Sequence, residues 1–294
     1  MNIVINPTKC SITSITASNK IAMWIGSTLK IKLVDDEKSA EQALNFDIET
    51  VFIVNGMFAF CEFREDIATL CRKAREVIWV GNDYAIKFPS NLSFLKGSPK
   101  LRRIAQYSNF DNWTNHKYVD FNKLLHWDGA EKPYKYEGLF YYGAFRKDRI
   151  KSFQKFLGAN DVPIHVSTAV KNTPEFKKIN RDMHVYKASG DIRKVLPMFQ
   201  SSIYIEDEFS HHILMTPANR FYEVIGSKTL MFYDASTITT LTQAGFWDKD
   251  FSVSSTAEVK EKLQDYDKLR AKQIAMFAGK NFRKELELEF KAAI

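Results

Sequence analysis

Residues 138–153 read "GLFYYGAFRKDRIKSF", an apolar run that breaks at Gly143 and then delivers Arg146 and Arg149 into the start of a helical pattern. Read as strand, turn and helix, this stretch is one β-α unit, and it makes the chain an α/β protein if its neighbours repeat the pattern. A strand ending in glycine lets the backbone turn closely. The helix that follows offers unpaired N–H groups and the positive end of its dipole. Arginines placed there carry planar forks that hold two oxygens at once and stay charged in almost any environment. On these residues alone a phosphate site and a solvated first helical turn both remain open.

The neighbours do repeat it. Downstream lie "VPIHVST" (162–168), "MHVYKAS" (183–189), "SSIYIED" (201–207) and "KTLMFYD" (228–234), with helical segments between them. Upstream, "NIVIN" (2–6), "TLKIKLV" (28–34), "TVFIVN" (50–55) and "EVIWVGND" (76–83) are strand-like, with helical patterns at "SNKIAMWIG" and "EDIATLCRKA". Between 90 and 137 the rhythm blurs into aromatic, basic and turn-forming residues, so a junction is expected near "GAEKPYKYEG" (129–138). The expected organisation is two βαβ assemblies, 1–132 and 133–270, followed by a charged helical end, 271–294, that crosses back onto the first.

With 294 residues and 45% hydrophobic content, the chain has enough apolar surface for two cores. The balance of 42 Lys+Arg against 35 Asp+Glu leaves +7, which fits a polyanionic partner without requiring one. Cys10, Cys61 and Cys71 form no C-x-x-C pair and leave an odd count, against a disulfide framework or a zinc site. A reducing cytoplasm suits them. The beginning "MNIVINPTKC" lacks a basic region with a long apolar core, and no run approaches the ~20 apolar residues of a membrane span, so a soluble, unexported protein is expected; a monomer is the expected state.

Several further residues read two ways. Asp83 follows "VIWVGN" at the carboxyl end of a strand, where open α/β sheets place ligands; it is a candidate general base or an ordinary turn and N-cap aspartate. Glu223, in "NRFYEVIGS", could accept hydrogen bonds from paired ribose hydroxyls, or pair with Arg220 three residues earlier. Asp207 ends "IYIED" at the carboxyl end of a strand, where open α/β sheets place ligands, unless it and Glu206 are loop charges. His211 and His212 lack the spacing of a transition-metal site. Lys100, Arg102, Arg103 and Lys117, interleaved with Tyr107, Trp113 and Tyr118, fit a surface that clamps a nucleic-acid backbone, or an irregular basic surface over an aromatic core.

Four stretches carry a resemblance to a family. "LFYYGAFRKDRIKSFQKFL" resembles the phosphate-binding strand, loop and helix of the DNA beta-glucosyltransferases of T-even bacteriophages, with the two arginines one residue closer together. "ANRFYEVIGSKTLMFYD" resembles that family's ribose-binding helix and the strand after it. "EVIWVGNDYAIKFP" is similar to its segment with the catalytic aspartate, and "FLKGSPKLRRIAQ" to its inter-strand region. The resemblance implies a GT-B fold, two Rossmann-like parallel-sheet domains facing across a cleft, the first for acceptor and the second for a nucleotide sugar. It implies a UDP-sugar donor held by Gly143, Arg146, Arg149, Arg220, Glu223 and Asp207, with Asp83 as the base of an inverting transfer. The implied acceptor is the hydroxyl of a 5-hydroxymethyl pyrimidine, such as 5-hydroxymethylcytosine, swung out of duplex DNA. The setting would be a host cytoplasm during phage infection, where the sugar masks DNA from nucleases. Dependence on Mg2+ or Mn2+ stays open. Two rivals stand beside this: a GT-B enzyme acting on a cell-envelope glycan or protein, and a nucleotide- or DNA-binding module without turnover.

Overall fold

The computed structural model describes residues 1–6, 16–54, 63–81, 90–105, 116–188, 191–206 and 216–294. The chain divides into two units, Met1–Leu124 with Arg283–Ile294, and Leu125–Phe282.

The first unit carries a parallel sheet in the order β2-β1-β3-β4-β5-β6. Its strands are β1 (Ile3–Ile5), β2 (Lys32–Val34), β3 (Thr50–Val54), β4 (Glu76–Gly81), β5 (Leu101–Ala105) and β6 (His116–Tyr118). Alternate side chains go to opposite faces, as the pleat requires. Ile3, Ile5, Val51, Ile53, Val77 and Trp79 join a core with the helices Glu37–Leu44 and Arg64–Lys73. Val4, Phe52, Val54, Ile78, Val80 and Ile104 join another with the helix Thr16–Leu29. Continuous apolar runs such as "TVFIV" belong to strands covered on both faces.

The C-terminal helix Phe282–Ala293 supplies Leu286 and Phe290 to this second core, as expected of a helix crossing back. Phe290 meets Trp24 edge-on, ring centroids 5.2 Å apart, and Lys123 pairs with Glu285 at 3.5 Å. Two strands, β5 and β6, lie inside the stretch whose rhythm had blurred. The expected strand 28–34 begins only at Lys32, because Leu29 completes the preceding helix.

The second unit carries the parallel order β12-β11-β10-β7-β8-β9. Its strands are β7 (Tyr136–Tyr142), β8 (Ile164–Thr168), β9 (His184–Lys187), β10 (Phe199–Tyr204), β11 (Leu230–Asp234) and β12 (Ser252–Val253). From β7 the chain steps outward through β8 and β9, then returns to the other flank of β7 with β10. Strand order therefore reverses between β7 and β10. The core is aromatic: Phe140, Tyr141, Phe153, Phe156, Phe176, Phe199, Phe221 and Phe232 are buried together, and Phe140 stacks on Phe199 at 4.0 Å.

Both expected boundaries move. The junction falls after Leu124, ahead of 132, because Gly129 N–H donates to Gly226 O at 2.9 Å and Asp128 pairs with Lys228 at 3.3 Å. The helix Tyr266–Phe277 stays in the second unit because the buried Gln273 bonds the β11 residue Met231 twice: it accepts from Met231 N–H at 2.8 Å and donates to Met231 O at 2.9 Å. Among the described residues no helix is long and apolar enough to cross a membrane.

Candidate functional site

At the carboxyl ends of β7 and β10 the second sheet gathers charge. In an open parallel sheet this is where loops diverge and leave a crevice, with helix N-termini pointing into it. Gly143, one residue past β7, has φ +140°, a conformation that side-chain-bearing residues rarely adopt. Its carbonyl accepts from Thr168 Oγ1 at 2.7 Å and its N–H donates to Ser167 O at 3.0 Å, which fixes the turn. A Cβ added there would lie 3.0 Å from Arg220 Nη1 and 3.2 Å from Tyr141 Oη, so the bare backbone is what lets the guanidinium approach.

The chain then enters a short 3-10 turn, Lys147–Arg149, and the helix Ile150–Leu157, whose Phe153, Phe156 and Leu157 are buried. That anchoring draws Arg149 in with it: the side chain is 5% exposed and its Nη2 donates to Glu206 Oε2 at 2.5 Å. From the far flank comes the helix Asn219–Gly226, which buries Phe221, Tyr222, Val224 and Ile225 and leaves Arg220 and Glu223 on its other side. Arg220 Nη2 donates to Glu206 Oε1 and, at 3.3 Å, to Ile205 O; its guanidinium lies 5.6 Å from the Tyr141 ring centre.

Glu206, two residues past β10, thus bridges both arginines with a side chain 3% exposed. Two cations share one anion. For Arg220, burial pulls the pKa down, but Glu206 and the surrounding tyrosine hydroxyls raise it further, so the net shift is upward and the charge is permanent. Arg220 Nε and Tyr141 Oη are buried with no hydrogen-bond partner among the described residues. Buried donors of that kind point to an anion or an ordered water.

Beside this triad Tyr142 Oη donates to Glu223 Oε2 at 2.7 Å. Burial first, and then Glu223, hold the Tyr142 hydroxyl well above its ordinary pKa, so it remains a donor. Arg220 and Glu223 each have their own partner, in place of the i,i+3 pairing that their spacing allowed. Arg146, the expected companion of Arg149, lies apart in exposure and contact: half-exposed, it forms a two-point pair with Asp148, the closer contact 2.7 Å.

The basic residues of the first unit meet different surroundings. Lys100 Nζ donates to the carbonyls of Cys71, Arg72 and Ala74 at 2.9, 3.2 and 3.3 Å, closing the end of the helix Arg64–Lys73. Arg102 pairs with Glu76 and donates to the Ile294 carbonyl at 2.9 Å. Arg103 is buried with its guanidinium 4.6 Å from the Trp79 ring centre. Lys117, on β6, is exposed. Asp83, Asp207, His211 and His212 lie outside the described residues, as do Cys10 and Cys61. Cys71 is free and buried, its thiol pushed up to about 12 chiefly by burial. Among the described residues no group of three or more His, Cys, Asp or Glu is arranged to hold a metal ion.

Sequence reading missed Glu206, leaving it as a loop charge. The signal that could have found it is topological: β10 must neighbour β7 once the strand order reverses, and that puts the first carboxylate after β10 next to the first arginines after β7.

No protein-family model and no curated protein sequence matches the chain. Among the solved structures that align with 99% of it are two glycosyltransferases. One is AviGT4, a glycosyltransferase involved in avilamycin A biosynthesis, at 9% identity over 97% of that chain with a TM-score of 0.54. The other is a glycosyltransferase from Rickettsia africae ESF-5, at 8% identity over 97% of that chain with a TM-score of 0.53. Likeness at these identities is a likeness of fold, and together with the two parallel six-stranded sheets it shows that this chain has the GT-B fold of glycosyltransferases.

Proposed function

We propose that this protein is a glycosyltransferase whose second unit binds a nucleoside-diphosphate sugar, UDP-sugar being the donor that its resemblance to phage DNA glucosyltransferases favours. The observation that carries the reading is the convergence of Arg149 and Arg220, from opposite flanks of the β7/β10 reversal, on Glu206, with Arg220 lying against the bare turn at Gly143. Forked cations at helix starts, held at the carboxyl edge of a parallel sheet, suit a diphosphate. Glu223, three residues along the same helix as Arg220, takes the ribose hydroxyls, and Tyr142 keeps its carboxylate in place. Arg146 is reached by the outer phosphate once it leaves Asp148, and Asp207 is assigned to the sugar hydroxyls.

In the transfer, the acceptor oxygen forms a bond to the anomeric carbon from the face opposite UDP. The bond from that carbon to the diphosphate oxygen breaks, with its electron pair staying on the diphosphate. Asp83, two residues past the end of β4, takes the acceptor proton. Configuration inverts, and the guanidinium charge offsets the charge growing on the leaving group. The acceptor is a 5-hydroxymethyl pyrimidine of duplex DNA, flipped out of the stack.

One observation favours a second reading, a GT-B enzyme acting on a cell-envelope glycan or protein: Lys100 and Arg102 are engaged by carbonyls and a carboxylate at the amino ends of their strands. The deciding experiment is mass spectrometry of hydroxymethylated and unmodified duplex DNA after incubation with a panel of UDP-sugars. A sugar-sized mass gain confined to the hydroxymethylated duplex supports the DNA acceptor. No gain with any donor, alongside hydrolysis of a UDP-sugar in the absence of acceptor, supports the second reading.

A further inference from the structure

Glu206 is in the wrong place to be a mere surface charge and carries the wrong sign to be a phosphate ligand. Its side chain is 3% exposed, and its two oxygens take one Nη2 each from Arg149 and Arg220. A carboxylate held by two guanidinium groups occupies the same N–H forks that a phosphate would use. We propose that Glu206 is a built-in counter-anion of the donor site, which holds both arginines in the empty protein and competes with a nucleoside diphosphate for them. The inference rests on the donor-site reading above and adds to it a device for releasing product.

Two cations buried without their anion would be costly, so the empty site needs a carboxylate to persist. An arriving diphosphate brings more negative charge and more oxygens than Glu206, and takes over N–H groups that Glu206 had satisfied. Each new contact is offset by one lost, which keeps the nucleoside diphosphate from being held too long after transfer. The unsatisfied Arg220 Nε and the bare face of Gly143 are the part of the site over which Glu206 does not compete, and they let the nucleotide win at working concentrations.

A positioning role alone predicts the opposite sign. If Glu206 only oriented the arginines, removing its charge would loosen them and weaken UDP. The counter-anion role predicts that Glu206→Gln, which keeps size and shape, binds UDP at least about tenfold tighter, because the nucleotide no longer displaces a charged partner. Uridine affinity should be unchanged. The variant should melt below the parent when empty and gain more from saturating UDP than the parent does. In turnover, donor KM and kcat should fall together, with UDP a stronger product inhibitor.

Glu206→Asp, too short to span both forks, should fall between parent and Gln variant, and it decides the matter alone if the Gln variant does not fold. Calorimetry with UDP and uridine on the full chain reads all of this. UDP affinity equal to or weaker than the parent's in the folded variants overturns the counter-anion role while leaving the donor site intact. Failure of the parent and both variants to bind UDP overturns the donor-site reading, and this inference with it.

Discussion

Both sheets are parallel, six strands wide and reversed once in strand order, yet the candidate pairs Arg149/Arg220 and Lys100/Arg102 lie at opposite ends of theirs. In the second unit Arg149 and Arg220 stand beyond the carboxyl ends of β7 and β10. In the first, Lys100 and Arg102 stand at the amino end of β5, on the carbonyls that finish the helix Arg64–Lys73 and on the Ile294 carbonyl. The ends of a parallel sheet are not equivalent. Crossover helices begin near the carboxyl edge, bringing free N–H groups, and end near the amino edge, bringing free carbonyls. A cation at the amino edge therefore relieves something that folding created. A cation at the carboxyl edge faces a field of its own sign, and its placement there makes sense for an anion that arrives from outside.

The proposed general base, Asp83, follows the last residue of β4 by two positions in the sequence. Asp83→Asn should leave UDP affinity unchanged and cut transfer by about 10²–10⁴-fold, the usual contribution of a positioned acid or base. This is the largest effect expected, read as kcat on whichever acceptor gains sugar. Parent-like turnover would remove Asp83 from the mechanism.

Next in size is the loss of a buried arginine. Arg149→Ala strands Glu206 against one remaining cation, and breaking a buried pair from one side costs about 3–5 kcal/mol in stability. It should also weaken UDP more than uridine, since only UDP offers the diphosphate. Arg146→Ala, half-exposed and turned to Asp148, should leave stability within about 0.5 kcal/mol of the parent. Chemical denaturation and calorimetry on the two variants separate them; equal losses in both would erase the distinction between the buried and the exposed arginine.

Glu223→Ala sharpens the same edge with a smaller effect. A charged hydrogen-bond acceptor is worth about 1.5–3 kcal/mol, so UDP and uridine should both weaken roughly 10–100-fold, in equal measure. A loss confined to UDP would move Glu223 from ribose to phosphate.

The contrast between the edges also explains how much was legible in the sequence. Strands covered on both faces announce themselves as apolar runs, so β1, β3, β4, β7, β8, β10 and β11 could be read directly. The strand β5, "LRRIA", could not: two arginines interrupt it, one lying over Trp79 and the other paired with Glu76. Both satisfy their charge through residues distant in sequence. Likewise Arg146 and Arg149 look interchangeable as letters. Burial of Phe153, Phe156 and Leu157 rotates Arg149 inward, whereas Asp148 is close enough to claim Arg146. Glu206 was hidden for the same reason, since its role exists only once β10 lies beside β7.

Smaller again is the effect at the first unit's amino edge. Lys100→Met removes three contacts to helix-terminal carbonyls and should cost roughly 1 kcal/mol in stability, with no change in the salt dependence of DNA binding. Lys117, exposed on β6, should behave differently: its loss leaves stability alone and, if it meets a phosphate, lowers the log–log salt slope by ~0.9. A slope change for Lys100 but not Lys117 would reverse the assignment of the two residues.

The smallest effect lies inside the second sheet, away from either edge. His165, on β8, is buried; its Nε2 donates to Glu137 O at 2.9 Å, which leaves Nδ1 to accept from Tyr186 Oη at 3.0 Å, and His184 stacks on it at 5.0 Å. Burial lowers its pKa below the ordinary 6.5, the Glu137 carbonyl opposes that shift, and the neighbouring His184 adds to it. The unfolded chain therefore takes up the proton first as pH drops. Stability is full above about 6.5 and declines as pH falls from there through the lowered folded value. His165→Gln should flatten that decline while leaving UDP affinity at neutral pH untouched, because the groups that hold the imidazole, Glu137, Tyr186 and His184, are none of the residues assigned to the donor. Urea denaturation between pH 5 and pH 8 measures the first and calorimetry the second. A parent-like decline in the variant would assign the acid sensitivity to another group, and a change in UDP affinity would mean that the interior of this sheet and its carboxyl edge are coupled.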